Sequence, residues 1–217
     1  MAKRRKVNNL LALAVLALAV ERPMHPYEMA SVLRERGKAH SIKIHWGSLY
    51  TVVANLERHG FIEATETARE GRRPERTVYQ ATEAGREELV DWMRELLGTP
   101  EKEYRRFEAA LSLLAGLPPD EVVTLLAERL RGLDAQIADG AAALEQWSKE
   151  LPRLFLVEVE YELAMLRAEA EWVRGLLAEI EGGSLPGLAA WRAFHEGGPL
   201  PPEVLELLER ERGRIPD

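Results

Sequence analysis

The apolar positions of the N-terminal part change period from one segment to the next. Leu10 to Val20 is apolar almost all round, which predicts a helix over about 9–21, capped by Asn8 or Asn9 and central in its domain. Pro23 interrupts the pattern and Pro26 restarts it in a first helical turn. Tyr27, Ala30 and Leu33 then mark the apolar side of a second helix, closed by Gly37. The stretch HSIKIHW, residues 40–46, reads as a short β-like segment. From Gly47 to His59, Leu49, Val52, Val53 and Leu56 recur at spacings of three and four and face a core, while Ser48, Thr51, Asn55 and Arg58 fall on the opposite side. Gly60 ends this third helix. Residues 61–68 and 76–81 are strand-like, rich in Thr, Val, Ile and Tyr, and REGRRPE between them is a turn.

Three short helices followed by a two-stranded hairpin predict a winged helix-turn-helix over residues 1–82. Everything after Thr82 reads as helix: one to about Leu97, one over Lys102–Leu114, and a third opened by Pro119, Asp120 and Glu121. Leu126, Leu130, Leu133, Ile137, Ala141, Leu144 and Trp147 make a near-heptad row along that third helix. The next helix, over about 153–181, carries two apolar rows. Val157, Tyr161, Ala164, Ala168 and Trp172 form one; Phe155, Val159, Leu166, Val173 and Leu177 form the other. One row can pack within the chain, and a twin subunit is the simplest partner for the second. The expected fold is therefore mainly α with a small β-hairpin wing, the N-terminal winged helix being followed by a C-terminal helical dimerisation domain over 83–181. A Gly/Pro-rich tail with short helices, 182–217, completes the chain.

The charge changes sign along the chain. Residues 1–81 hold 14 Lys/Arg against 8 Asp/Glu, and residues 82–217 hold 15 against 28, which points to two modules with different partners. Absence of cysteine excludes disulfides, thiol nucleophiles and Cys-based zinc sites. His25, His40, His45 and His59 lack metal-ligand spacing on one helix face, so no metal and no cofactor is expected. Lys3 to Lys6 ahead of an apolar run ending in Ala17-Leu18-Ala19 has the form of a secretory signal. The competing reading, a buried first helix, is preferred because cleavage would remove the helix that the following segments need for their core. As a membrane span the run falls short of the ~20 residues required.

A helix with small polar side chains on its outer face fits the major groove of B-DNA, where hydrogen-bonding groups distinguish all four base pairs. Asn55 can pair bidentately with adenine, Ser48 and Thr51 can contact a base edge or a phosphate, and Arg58 can reach guanine or the backbone. The hairpin tip brings Arg72, Arg73 and Arg76 toward the neighbouring backbone or minor groove. Lys43 and His45, with Lys3, Arg4, Arg5 and Lys6 at the N-terminus, add phosphate contacts. Tyr50 can seat its ring at the core edge and extend its hydroxyl to a phosphate. A plain solvated helix face and a solubilising hairpin tip are the alternatives for these residues, and the basic wing following directly on the helix favours nucleic acid.

The segments PMHPYEMASVL, GSLYTVVANLERHGFI and GRRPERTVYQATEAGREEL, in this order over about residues 22–90, resemble the PadR family of bacterial transcriptional regulators. Tyr27, Leu49, Tyr50, Leu56, Glu57, Gly60, Gly71, Arg72, Arg73, Tyr79 and Thr82 sit on the family pattern. Pro26 stands where the family often has Gly, Thr51 where Pro is common, and Ala81 where Leu is usual. The resemblance implies a cytoplasmic homodimer that binds a near-palindromic double-stranded DNA operator and usually represses. It also implies a helical C-terminal region that dimerises and, in several members, responds to small aromatic or drug-like molecules. Trp92, Tyr104, Phe107, Trp147, Tyr161 and Trp172 are the side chains available to line such an effector pocket, aromatic core being the alternative for each. A helical protein–protein interaction module using the winged helix without DNA is the competing function. The chain offers no Ser/His/Asp order, glycine-rich phosphate loop or His-Glu metal helix, and Glu158, Glu160 and Glu162 read as a solvated charge run, so it is not expected to be an enzyme.

Overall fold

In the computed structural model, which describes residues 5–68 and 76–199 (backbone alone at 66–68 and 76), the Asn9 side chain accepts the Leu11 N–H at 2.8 Å and starts α1 (Leu10–Glu21). This helix is the centre of the first unit: Ala12, Val15 and Leu16 have no exposed surface, so its removal would empty the core. His25 caps α2 (Pro26–Glu35) by accepting the Tyr27 N–H, and Pro26 occupies the first turn, where its missing donor leaves no bond unmade. The buried side of α2 is Pro26, Met29, Ala30 and Leu33, which turns Tyr27 outward at 68% exposure. The Arg36 guanidinium pairs with Glu21 at 2.6 Å and holds that carboxyl below the usual carboxylate range.

Residues 40–46 form no strand. Turn hydrogen bonds from His40 N–H to Gly37 and from Ile42 N–H to Lys38 occupy the segment, and a 3-10 turn, Trp46–Ser48, follows it. An isolated β-bridge is made by Met24, which exchanges both backbone hydrogen bonds with Tyr79 at 3.0 Å. Ile44 and Trp46 still pack on the core as partly buried side chains, and the Arg34 guanidinium lies 4.0 Å from the Trp46 ring centroid. Helix α3 (Leu49–Arg58) buries Leu49, Val52, Val53 and Leu56. Strands β1 (Ile62–Ala68) and β2 (Arg76–Ala81) pair antiparallel from Ile62 opposite Ala81 to Ala68 opposite Arg76, with a bulge between Ala64 and Glu66.

Helix α4 (Glu83–Gly98), capped by Thr82, packs on α1, and the first compact unit runs Met1–Lys102. Trp92 of α4 is 4% exposed and belongs to the same hydrophobic core as α1 and α3.

The second unit, Glu103–Asp217, is built on the helix pair α6 (Pro119–Trp147) and α7 (Val157–Glu181). Leu163 of α7 fills the notch left by Gly140 of α6, where a Cβ would lie 2.8 Å from Leu163 Cδ2. Arg129 pairs with Glu169, and Arg174 with Asp134, across the same two helices. Val122, Leu126 and Leu133 meet Ala170, Val173, Leu177 and Ile180 in the core. The helix expected over 102–114 is only α5 (Arg106–Leu111) followed by a 3-10 turn, Leu114–Gly116. Helix α8 (Leu188–His195) is tied to that turn by the Trp191 indole N–H, which donates to the Leu117 carbonyl at 2.9 Å. Among the described residues no helix is long and apolar enough to cross a membrane.

Candidate nucleic-acid interface

The joint between α3 and the wing is fixed by backbone bonds. Gly60, at φ 73°, takes the left-handed conformation that an L side chain resists; its N–H donates to Glu57 and the Phe61 N–H donates to Leu56, which closes the helix and reverses the chain into β1. The wing is locked back on this joint at its return. Thr82 donates its hydroxyl to the Gly60 carbonyl at 2.6 Å and accepts the Gly85 N–H at 3.1 Å, and the Thr82 N–H donates to Phe61. Tyr79 of β2 meets Glu57 of α3. Burial raises the Tyr79 phenol above its ordinary pKa of 10.0, and the Glu57 charge and hydrogen bond raise it further. Because the folded chain holds that proton more tightly than the unfolded one, the stability it contributes is complete below about pH 10 and lost as pH rises through the folded value. Glu57→Gln is therefore expected to lower the Tyr79 pKa, read by ultraviolet difference titration; an unchanged titration would show that no such contact forms.

With Leu49, Val52, Val53 and Leu56 buried, the outward line of α3 is Thr51, Ala54 and Arg58, all exposed, with Tyr50 beside it at 60% exposure. Ser48 and Asn55 are half-buried at its other edge, which shifts the reading face away from the four-residue ridge expected from sequence. The Ser48 hydroxyl is also committed as a donor to the His45 carbonyl at 2.7 Å. The Tyr50 ring faces outward instead of seating against the core. Lys43 and His45 are exposed in the segment leading into the 3-10 turn. Arg76 opens β2 opposite Ala68, whereas Lys3, Arg4, Arg72 and Arg73 lie outside the described residues.

Arg5 is a correction. Its side chain is 5% exposed, 2.6 Å from Glu88, 2.5 Å from Glu95 and 3.5 Å from Asp91, with its guanidinium 5.4 Å from the Trp92 ring centroid. Three carboxylates on one face of α4 take up the cation, so Arg5 is not available to a phosphate. The missed signal is the i, i+3, i+7 spacing of Glu88, Asp91 and Glu95.

The aromatic residues considered for an effector separate. Trp92 is a core side chain of the first unit, so a pocket-lining role for it is corrected as well. Phe107 and Trp172 meet edge to face with centroids 6.1 Å apart, and with Arg105, Met165, Ala168 and Glu169 they line an open groove of about 310 Å³. Tyr104, Tyr161 and Trp147 are 87%, 64% and 41% exposed and line neither this groove nor a second one of about 430 Å³ bordered by Leu144, Leu151 and Leu156.

Residues 15–91, which include α3 and both strands, match the family model described as Transcriptional regulator PadR-like family. This segment belongs to the PadR-like family. No curated protein matches the chain. Among solved structures, Bacillus subtilis PadR in complex with operator DNA is similar over 79% of this chain and 99% of its own, with a TM-score of 0.65 and 22% identity. The same protein in complex with p-coumaric acid covers 80% and 99%, at a TM-score of 0.66 and 20% identity. The Vibrio cholerae virulence activator AphA covers 79% and 98%, at a TM-score of 0.63 and 18% identity. At these identities the likeness establishes a shared fold, one that extends past the PadR-like segment into the C-terminal helices.

Proposed function

We propose that this chain is a sequence-specific DNA-binding transcriptional regulator that acts in the cytoplasm as a homodimeric repressor. The observation that carries the reading is an α3 whose outward line, Thr51, Ala54 and Arg58, is exposed and joined through Gly60 to a two-stranded hairpin, all within a PadR-like segment whose sequence between the strands holds Arg72 and Arg73. Bacillus subtilis PadR, similar in fold, is described with operator DNA, which supports the same partner here. Dimerisation is supported by α7, where Val157, Tyr161, Met165 and Trp172 form an apolar row that stays 37–64% exposed, although Phe107 of α5 stacks on Trp172. The groove at Phe107 and Trp172 is the proposed place for a small aromatic effector, a ligand class consistent with the p-coumaric acid complex of that relative.

The test is a binding titration of the full chain against duplex DNA enriched from a random library, repeated at several salt concentrations. A regulator neutralising several phosphates loses about 10³-fold or more in affinity between 50 and 200 mM salt, while enriched duplexes stay preferred over unselected ones. Affinity that is insensitive to salt, or enrichment of no sequence, would refute DNA reading and favour a protein-binding winged helix. For the sign of regulation, deleting the gene is expected to raise expression from a promoter carrying the enriched site; a fall would make the protein an activator.

A further inference from the structure

We propose that Thr51 and Ala54 read the C5-methyl groups of thymine, so that the chain selects half-sites with closely spaced A·T pairs beneath the middle of α3. This rests on the DNA-reading role proposed above and adds the base class that α3 selects. The buried set Leu49, Val52, Val53 and Leu56 fixes the helix phase, and the direction opposite that set falls on Thr51, Ala54 and Arg58. Two of the neighbouring polar groups have partners and a third is turned partly inward. Glu57 is held by Tyr79, Ser48 donates to His45, and Asn55 is half-buried. What the centre of the helix presents outward is the Ala54 methyl and the methyl and hydroxyl of Thr51.

An exposed alanine offers no hydrogen bond to a base edge. The one feature of the major groove that rewards a methyl group is the methyl of thymine, which Ala and Thr side chains contact by apolar burial. Residues i and i+3 on a helix carry Cβ atoms ~5–6 Å apart, and base pairs stack ~3.4 Å apart, so the two methyls reach pairs one or two steps from each other. Arg58, one turn further along, is exposed and within the same line for guanine or phosphate at the end of the half-site.

The test takes the duplexes enriched from a random library by the full chain and replaces each dT by dU, one at a time, which deletes the methyl and leaves every hydrogen-bonding group. Affinity is expected to fall about fourfold at one or two positions per half-site, the factor for one methyl at ~0.8 kcal/mol. Thr51→Ser, which keeps the hydroxyl, should erase the penalty at one position, and Ala54→Gly should erase it at another; circular dichroism melts identify any loss of folding in the glycine variant, and the serine variant carries the test alone if it occurs. Enriched sites that tolerate every dU replacement, or penalties that persist in folded variants, would overturn the proposal while leaving DNA binding intact. Failure to enrich any sequence would instead remove the DNA-reading role, and methyl reading with it.

Discussion

Gly85→Ala is expected to destabilise the first unit by at least ~3 kcal/mol, enough to abolish DNA binding at physiological temperature. A Cβ at position 85 would lie 1.9 Å from the Phe61 carbonyl oxygen, 2.9 Å from its carbon and 3.2 Å from Leu16 Cδ1. Two of these are backbone atoms, which cannot swing aside. The carbonyl also accepts the Thr82 N–H at 3.1 Å, so moving it breaks the bond that returns the wing to the α3 joint. The strain is thus delivered where α3, wing and core meet. Gly98→Ala at the end of α4 is the matched control, since nothing lies within 4 Å of its would-be Cβ; it should be neutral or stabilising by up to ~1 kcal/mol. Thermal and urea unfolding of both variants measure the difference, and equal midpoints would mean that α4 does not press on Phe61 as described.

The second large effect concerns α7. Tyr161→Asp combined with Ala164→Asp places two carboxylates on the outward apolar face, where both side chains are exposed and neither belongs to the core of the second unit. Helix content should stay constant. Sedimentation should change from dimer to monomer, because burying unpaired carboxylates in an apolar interface costs several kcal/mol. Operator affinity should fall at least ~100-fold with it, since a second reading head tethered to the first adds 10² or more through effective concentration. A doubly charged variant that still sediments as a dimer would place the subunit contact elsewhere.

Much of this was legible in the order of residues, and the particular residues show why. The three-and-four spacing of Leu49, Val52, Val53 and Leu56 gave the core side of α3 because that periodicity is a local property of a helix packed on one side. The wing was legible from Gly60, from the Thr/Val/Ile/Tyr runs and from the turn between them, each a local backbone preference. What escaped depended on partners distant in sequence. Arg5 looked like one of four mobile cations until Glu88 and Glu95, more than eighty residues on, claimed it. HSIKIHW has strand-like composition, yet turn hydrogen bonds back to Gly37 and Lys38 take up its first residues. The outer face of α3 was legible in part, Thr51 and Arg58 of the expected ridge being exposed. Its exact phase was not, because polar residues flank the exposed line as well as occupy it: Ser48 and Asn55 are polar but half-buried, and Ala54 is apolar but exposed. Trp92 and Trp172 were alike as letters and differ because one lies under α1 and the other at the rim of a groove.

The most direct measurement is a hydroxyl-radical footprint of the full chain on an enriched duplex. Two protected half-sites related by two-fold symmetry, with centres ~34 Å or one helical turn apart, are expected of paired α3 helices. Protection of a single half-site, or a uniform ladder without spacing, would contradict a dimer reading DNA through that helix.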